Sequence, residues 1–477
     1  MRKAMVTKMM SFLIVLVMLG PDLMAQEWIE NSFEDFIDGK LDASGNNIYV
    51  SADGKIRTIH RFDYNDDGFI DLLFCNTHDQ VDNLPSTLAN VGPGRTVTES
   101  DIAYPGTLQV RSVDLNKDGY LDLVFVPNFN GVQGTRGFVS IIYGGKNGWP
   151  VARTTGHLPG NLIKELVIAD LNGDQWPDIV TLNSSAWIVG QPSGNIVRVY
   201  WGSERGFINK RFHDLGIASA KSIASGDYDG DGGDDVAVLG ADSNITVLWS
   251  SSFKSKKDSI ETSNLSCPVG KDGLTIVSGD VNNDKIMDLV VGTNRDSICI
   301  VPSLGERSWG KAQEISAVKA SNIAVEDVDD DGQNDVVLSY FEQRIGPAGE
   351  YGGAGESSGK AAHVLWGQKK GFSVDEMTTL PAEYISATAV GDYDGDGKRD
   401  IAVAINRARL TFTTNSVIYY GKGGRQFEKG VNGISTSGAM YAYAVPDPDN
   451  NKDLVVFSNN TFRHTPPQIN IGVVSCH

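Results

Sequence analysis

An aspartate-rich string recurs eight times along this 477-residue chain, beginning at Asp63, Asp114, Asp170, Asp227, Asp280, Asp327, Asp392 and Asp447. Successive copies start 47 to 65 residues apart, and a short apolar run follows each. A period of that length constrains the architecture before any single residue is considered. Each unit is one supersecondary element that cannot bury its apolar face alone, so neighbours must stack. The first seven copies read D-x-[DN]-x-D-x-x-x-D; the eighth, DPDNNKD, is two residues short.

Positions 1, 3, 5 and 9 of the string are oxygen donors. Hard divalent cations take six to eight oxygens, and a tight loop supplies them from alternating side chains and a backbone carbonyl. Three copies offer four carboxylates each: Asp227, Asp229, Asp231 and Asp235; Asp327, Asp329, Asp331 and Asp335; Asp392, Asp394, Asp396 and Asp400. Four carry asparagine at position 3: Asp63, Asn65, Asp67 and Asp71; Asp114, Asn116, Asp118 and Asp122; Asp170, Asn172, Asp174 and Asp178; Asp280, Asn282, Asp284 and Asp288. Position 6, where the chain must turn sharply, is glycine in five copies, Gln175 in the third and Lys285 in the fifth. The fifth is therefore expected to be the weakest of the seven, and the shortened eighth to hold no metal. An EF-hand fits less well, because position 12 is apolar (Phe74, Phe125, Val238, Leu338) where that loop needs a bidentate glutamate.

The flanks read as strands: DLLF, DLVFV, DVAVL, DVVLS and DIAVA follow the loops. A third apolar run ends in an aromatic and glycine, as in IIYGG at Ile141, VRVYWG at Val197, VLWG at Val364 and VIYYG at Val417. A G-W or G-F pair then opens a fourth. Four short strands in about 50 residues is the pattern of a β-propeller blade, so the expected fold is all-β, a propeller of four-stranded blades. Trp201, Trp249 and Trp366 recur at one repeat position and are expected to pack between blades.

These motifs resemble the FG-GAP/VCBS repeats, the calcium-loop propeller repeats also found in integrin α-chain heads, from about residue 50 to the C-terminus. The resemblance implies Ca2+ as the metal, in up to seven sites. It places each site in the hairpin between a blade's first and second strands, on one face of the disc. It does not specify an activity. Eight repeats favour eight blades; seven also fits, since integrin-type rings have seven. The eighth repeat has strands at Tyr441–Val445, Leu454–Ser458 and Gln468–Val474, and the segment Asn47–Ser51 (NIYVS) is expected to supply its missing outer strand.

The N-terminus carries a basic stretch, the apolar run MMSFLIVLVMLG and a small residue before a cut after Ala25. Residues 1–25 therefore read as a signal peptide and 26–477 as a single propeller domain, secreted, periplasmic or at the cell surface. Formal charge is −19; it becomes −21 without the signal, and seven divalent cations would bring it to −7. The acidity is thus mostly ligand charge, and no basic patch invites nucleic acid. No later stretch is apolar enough to span a membrane, and a monomer is expected. The four cysteines, Cys75, Cys267, Cys299 and Cys476, match no zinc spacing and allow three pairings, with free thiols an alternative.

Four insertions break the uniform spacing: Thr77–Asp101, Asn128–Arg136, Asn183–Asn195 and Tyr340–Lys360. All should leave the face opposite the acidic loops. They hold Phe129, Arg136, Trp187, Tyr340, Phe341, Arg344 and Tyr351, side chains suited to sugar rings and anionic glycans. The first reading is a binding module for a glycan or a surface protein. No histidine lies in a triad or metal spacing, and no nucleophile motif occurs. The alternative is a lyase acting on a uronate polysaccharide, with His78 and Arg136 as base and charge neutraliser.

Overall fold

The computed structural model describes residues 47–50, 56–76, 86–93, 96–102, 107–127, 138–146, 148–149, 154–160, 163–184, 195–217, 219–250, 260–316, 318–341, 343–345, 351–354, 359–369, 371–406, 413–431, 433–437, 439, 441–447, 452–457 and 475–476. These form seven four-stranded sheets and one of five strands, each built mainly as an antiparallel meander, plus small accessory hairpins. No α-helix occurs among the described residues, only short 3-10 turns such as Gly270–Asp272 and Val374–Glu376. None of their helices is long and apolar enough to cross a membrane. The fold is an all-β propeller. Blade three shows the plan: Ile163–Ala169, Asp178–Ser184, Asn195–Tyr200 and Phe212–Leu215 pair in order.

The first strands of consecutive blades lie side by side, and several are tied by one polar side chain each. Gln109 Oε1 accepts the Leu166 N–H at 2.8 Å. Glu165 Oε2 accepts the Ile223 N–H at 2.7 Å, and Ser222 Oγ accepts the Ile276 N–H at 3.3 Å. A bulge beside Gln109 and another beside Glu165 re-aim these side chains toward the next blade. Between the sheets lie apolar clusters shared by neighbours. Trp201 packs with residues of blades three and four, Trp249 with four and five, and Trp366 with six and seven. All three indoles are buried, which matches their expected packing role. A Cys267–Cys299 disulfide also links blades four and five.

The first and eighth blades touch: Arg61 Nη1 donates to the Ala444 carbonyl, and its guanidinium lies 5.6 Å from the Tyr443 ring centroid. The eighth sheet runs Ala442–Asp447, Lys452–Phe457, Asn47–Val50, Ser475–Cys476. The N-terminal segment does join the last blade, but as its third strand and not its outermost. It pairs in parallel with the second strand, Ile48 opposite Val455, and antiparallel with Ser475–Cys476. The expected third strand at Gln468–Val474 lies outside the described residues, as do residues 1–25.

A second correction concerns Thr77–Asp101. Most of that stretch is not an insertion: Ser86–Gly92 and Thr96–Ile102 are the third and fourth strands of blade one. Its weak aromatic-glycine signature hid an ordinary blade, because here the third strand ends in Val91–Gly92 without an aromatic. Tyr340–Lys360 is an insertion, and it carries its own small hairpin, Gln343–Ile345 with Tyr351–Ala354.

The two repeat motifs form a single interlock. Aspartate 9 of each acidic loop opens the second strand and is fully buried, from Asp71 through Asp400. One of its oxygens accepts the N–H of loop position 2, as in Asp178 with Leu171 at 3.0 Å. Its other oxygen accepts an N–H at the end of the third strand: Gly144, Gly202, Gly367 and Gly421, or Ser250 and Ser303, at 2.7–2.8 Å. The glycine of the Y-G or W-G pair is needed because the strand end nearly touches the loop. A Cβ on Gly202 would stand 2.2 Å from the Pro177 carbonyl oxygen, and one on Gly367 2.1 Å from that of Asn334. Gly202→Ala is therefore expected to lower stability by about 1–3 kcal/mol, read from the midpoint of urea unfolding. An unchanged midpoint would show that the backbone yields freely. Deleting residues 26–52 removes the third strand of the eighth blade and exposes the edge of Lys452–Phe457. That truncation should aggregate or melt well below the full chain in a thermal scan.

Candidate metal centres

All seven full-length acidic strings join a blade's first strand to its second. Their backbone follows one course. Positions 4 and 6 are left-handed in every copy: Asp66 and Gly68 at φ 58° and 88°, Asn283 and Lys285 at 61° and 72°. Gln175 takes the same conformation at φ 72°. Glycine at position 6 is thus favourable but not required, and the Gln175 and Lys285 loops keep the shape despite the strain a side chain meets there.

Hydrogen bonds inside the loop hold that shape. The position-1 carboxylate accepts the N–H of position 6, at 2.8 Å for Asp63 with Gly68 and 2.8 Å for Asp280 with Lys285. Position 5 accepts the N–H of position 7, as in Asp231 with Gly233 and Asp331 with Gln333. At position 3, the side-chain oxygens of Asn65, Asn116, Asn172, Asp229, Asn282 and Asp394 accept the N–H of position 5. The seventh, Asp329, does not: its Oδ1 is buried without a hydrogen-bond partner.

The three all-aspartate copies bring carboxylates together. In Asp227, Asp229 and Asp235, in Asp327, Asp329 and Asp335, and in Asp392, Asp394 and Asp400, one oxygen from each residue lies within 4.8 Å of the others. These are positions 1, 3 and 9. Position 5 (Asp231, Asp331, Asp396) stands outside the three-carboxylate groups. The four other loops place an amide oxygen at position 3 in the same backbone frame.

Burial makes negative charge costly at the base of these loops. Burial pushes the position-9 carboxyls up, to about 8 for Asp178, about 7 for Asp235, Asp288 and Asp400, and about 6 for Asp122 and Asp335, with neighbouring aspartates adding to the rise. Crowding carboxylates at low exposure is costly unless a cation neutralises them. The donor set is all oxygen, as a hard divalent cation requires, and the orphaned Asp329 Oδ1 is an acceptor without a donor. The residues therefore fit such an ion.

The loops are chained to the neighbouring blade. Met287 N–H donates to the Asp227 carbonyl at 3.0 Å, and Asn334 Nδ2 to the Asp280 carbonyl at 2.6 Å. The shortened eighth string joins this chain. Asp453 N–H donates to the Asp392 carbonyl at 2.6 Å, and Asp453 Oδ2 accepts the Asp392 N–H at 2.9 Å. Two arginines escaped the sequence reading. Arg307 pairs with Asp229 at 3.2 Å, and Arg425 with Asp329 at 2.7 Å and Asp331 at 3.1 Å, each reaching from the following blade. The only signal for them was positional. Each stands four residues after the third-strand residue that holds aspartate 9, where blades two, three and six have Gly148, Gly206 and Gly371.

Phe129, Trp187 and the two lyase candidates, His78 and Arg136, lie outside the described residues. Tyr340 is buried with Lys319 above its ring, and Phe341 is tied to Ser321 through its backbone. Arg344 and Tyr351 sit on the two strands of the inserted hairpin.

The FG-GAP-like repeat matches residues 114–181, 170–238 and 227–291, and the FG-GAP repeat matches 384–419. The three overlapping matches each begin at the first aspartate of an acidic loop. No curated protein matches the sequence. A solved structure described as BBS1N in complex with ARL6DN, soaked with lead, aligns at a TM-score of 0.39 and 10% identity, over 72% of this chain and 90% of that one. With the acidic loop, its blade-opening aspartate and the aromatic-glycine strand end all in place, the chain carries FG-GAP-like repeats over residues 114–291 and an FG-GAP repeat at 384–419.

Proposed function

We propose that this is an exported, calcium-stabilised propeller that binds a glycan or an extracellular protein through the connections opposite its acidic loops. The observation that carries the calcium reading is the Asp327, Asp329 and Asp335 group with its unpartnered Asp329 oxygen. Up to seven sites would be formed by positions 1, 3, 5 and 9 of the loops. The three all-aspartate copies would bind most strongly, because charge count raises affinity at such loops. An ion bound only by the folded chain stabilises it by mass action. Calcium at millimolar concentration should therefore raise the melting temperature above that in EGTA, and magnesium should do less, since it demands a tighter octahedral shell. Identical melting curves in calcium and EGTA would remove calcium from this proposal.

The binding reading rests on the division between uniform and variable connections. The hairpins on the acidic face repeat one geometry seven times, whereas the connections between second and third strands vary. Of these the Tyr340–Lys360 insertion is the longest that the structure partly describes, with its own hairpin standing off the blade. Only irregular loops can give a regular scaffold its own specificity. Replacing residues 343–356 with a tight turn should abolish binding of a ligand found on a glycan array or by pull-down, at an almost unchanged melting temperature. Retained affinity would move the site elsewhere. Processing after Ala25, a single domain over 26–477 and a monomeric state complete the proposal.

A further inference from the structure

We infer that Arg307 and Arg425 are built-in counter-cations that compete with calcium for Asp229 and Asp329, making two of the blade junctions calcium-responsive latches. This rests on the calcium reading above.

Four observations support it. First, the two arginines are equivalent by position and reach equivalent targets. Each sits in the hairpin between a blade's third and fourth strands and pairs with the position-3 aspartate of the preceding blade's loop. Those aspartates belong to two of the three groups of converging carboxylates. Second, each arginine occupies a left-handed position, φ 62° for Arg307 and 67° for Arg425. The matching residues Gly148, Gly206 and Gly371 are glycines with φ of 78°, 72° and 94°. A long side chain held where glycine is the easy choice marks a position kept for what the side chain does. Third, each guanidinium is braced. Arg307 lies 5.3 Å from the Trp249 ring centroid and pairs with Glu261 at 2.7 Å. Arg425 lies 5.1 Å from the Trp366 ring centroid and pairs with Glu376 at 3.1 Å. Fourth, the target side chains are nearly sealed, 6% exposed for Asp229 and 8% for Asp329, so charge there is poorly screened.

The consequence follows from charge alone. Without metal, the guanidinium neutralises part of the carboxylate crowding and ties two blades together. A divalent ion at the same carboxylates must take the shared oxygen from arginine or sit beside a like charge, and either weakens its binding. The apo form gains cohesion and the bound form loses affinity. Asp394, the position-3 residue of the third all-aspartate loop, has no ion pair among the described residues and serves as an internal control.

The test uses Arg307→Gly and Arg425→Gly, which place at each hairpin the residue the other blades already use, so the turn is preserved. Calcium titrations by calorimetry and thermal melts in EGTA and in calcium are run on wild type and both variants. Each variant should melt lower than wild type in EGTA and gain more from calcium. One site in each should bind calcium about five- to tenfold more tightly, the scale expected when a nearby like charge is removed. Weaker or unchanged calcium affinity in both variants, with wild-type binding intact, overturns the latch and leaves the calcium reading standing. Absence of calcium binding in the wild type overturns both. A glycine variant that unfolds is replaced by Arg425→Gln, which keeps the stem over Trp366 while removing the charge, and the same affinity criterion applies.

Discussion

One buried carboxylate in each of seven blades organises this molecule. Aspartate 9 of each acidic loop is shielded from water, and its two oxygens bind two backbone N–H groups from different parts of the blade. One comes from the start of its own loop. The other comes from the end of the third strand, two elements later in the chain. The contact therefore sets the spacing between the first hairpin and the outer half of the sheet. It is also why burying a charged group is tolerated there, since each oxygen receives a donor that would otherwise lack an acceptor. Positions 1 and 3 are then carried to within reach of position 9 by the left-handed turns at positions 4 and 6. The convergence of these carboxylates is in this sense a by-product of how the blade is fastened.

That coupling explains which features were legible in the sequence. The period and the acidic string were sufficient for the fold class, because they report a local structure that needs no partner outside the blade. The place of the loops between first and second strands was legible for the same reason. The aromatic-glycine pair was recognised as a motif, but its cause was not visible. Gly202 and its counterparts exist because a Cβ would collide with the carbonyl of loop position 8, a contact between residues some 25 positions apart. Blade one shows the converse. Its third strand, Ser86–Gly92, lacks the aromatic and so passed for part of a long loop, although its pairing is as regular as any other.

Contacts between blades were the least legible. The N-terminal strand was assigned to the last blade by elimination, yet its slot depends on which edge is free in three dimensions. The structure inserts it between Lys452–Phe457 and Ser475–Cys476. Arg307 and Arg425 belong to the same class. Each lies about 80 to 100 residues from its aspartate partner, and nothing in their local sequence marks them apart from a missing glycine. Lys285 marks the fifth loop as the weakest by sequence, but the backbone there, as at Gln175, matches the glycine copies. Their difference from the others is one of strain and charge, not of shape.

The acidic face is thus more than a row of independent loops. A loop's position-1 carbonyl accepts a hydrogen bond from the next blade's loop in at least three junctions, through Met287, Asn334 and Asp453. Two junctions, one of them also tied by Met287, place a guanidinium on the preceding loop. A cation entering one loop would alter the charge on groups that the neighbouring blade also holds. The position-3 carboxylate is where this coupling is closest, because it belongs both to the converging carboxylates and to the arginine pair from the following blade. Stability of the loops and cohesion of the blades are therefore linked by the same few carboxylate oxygens. The opposite face, free of that linkage, is where connections can lengthen and diverge without disturbing the fastening beneath them.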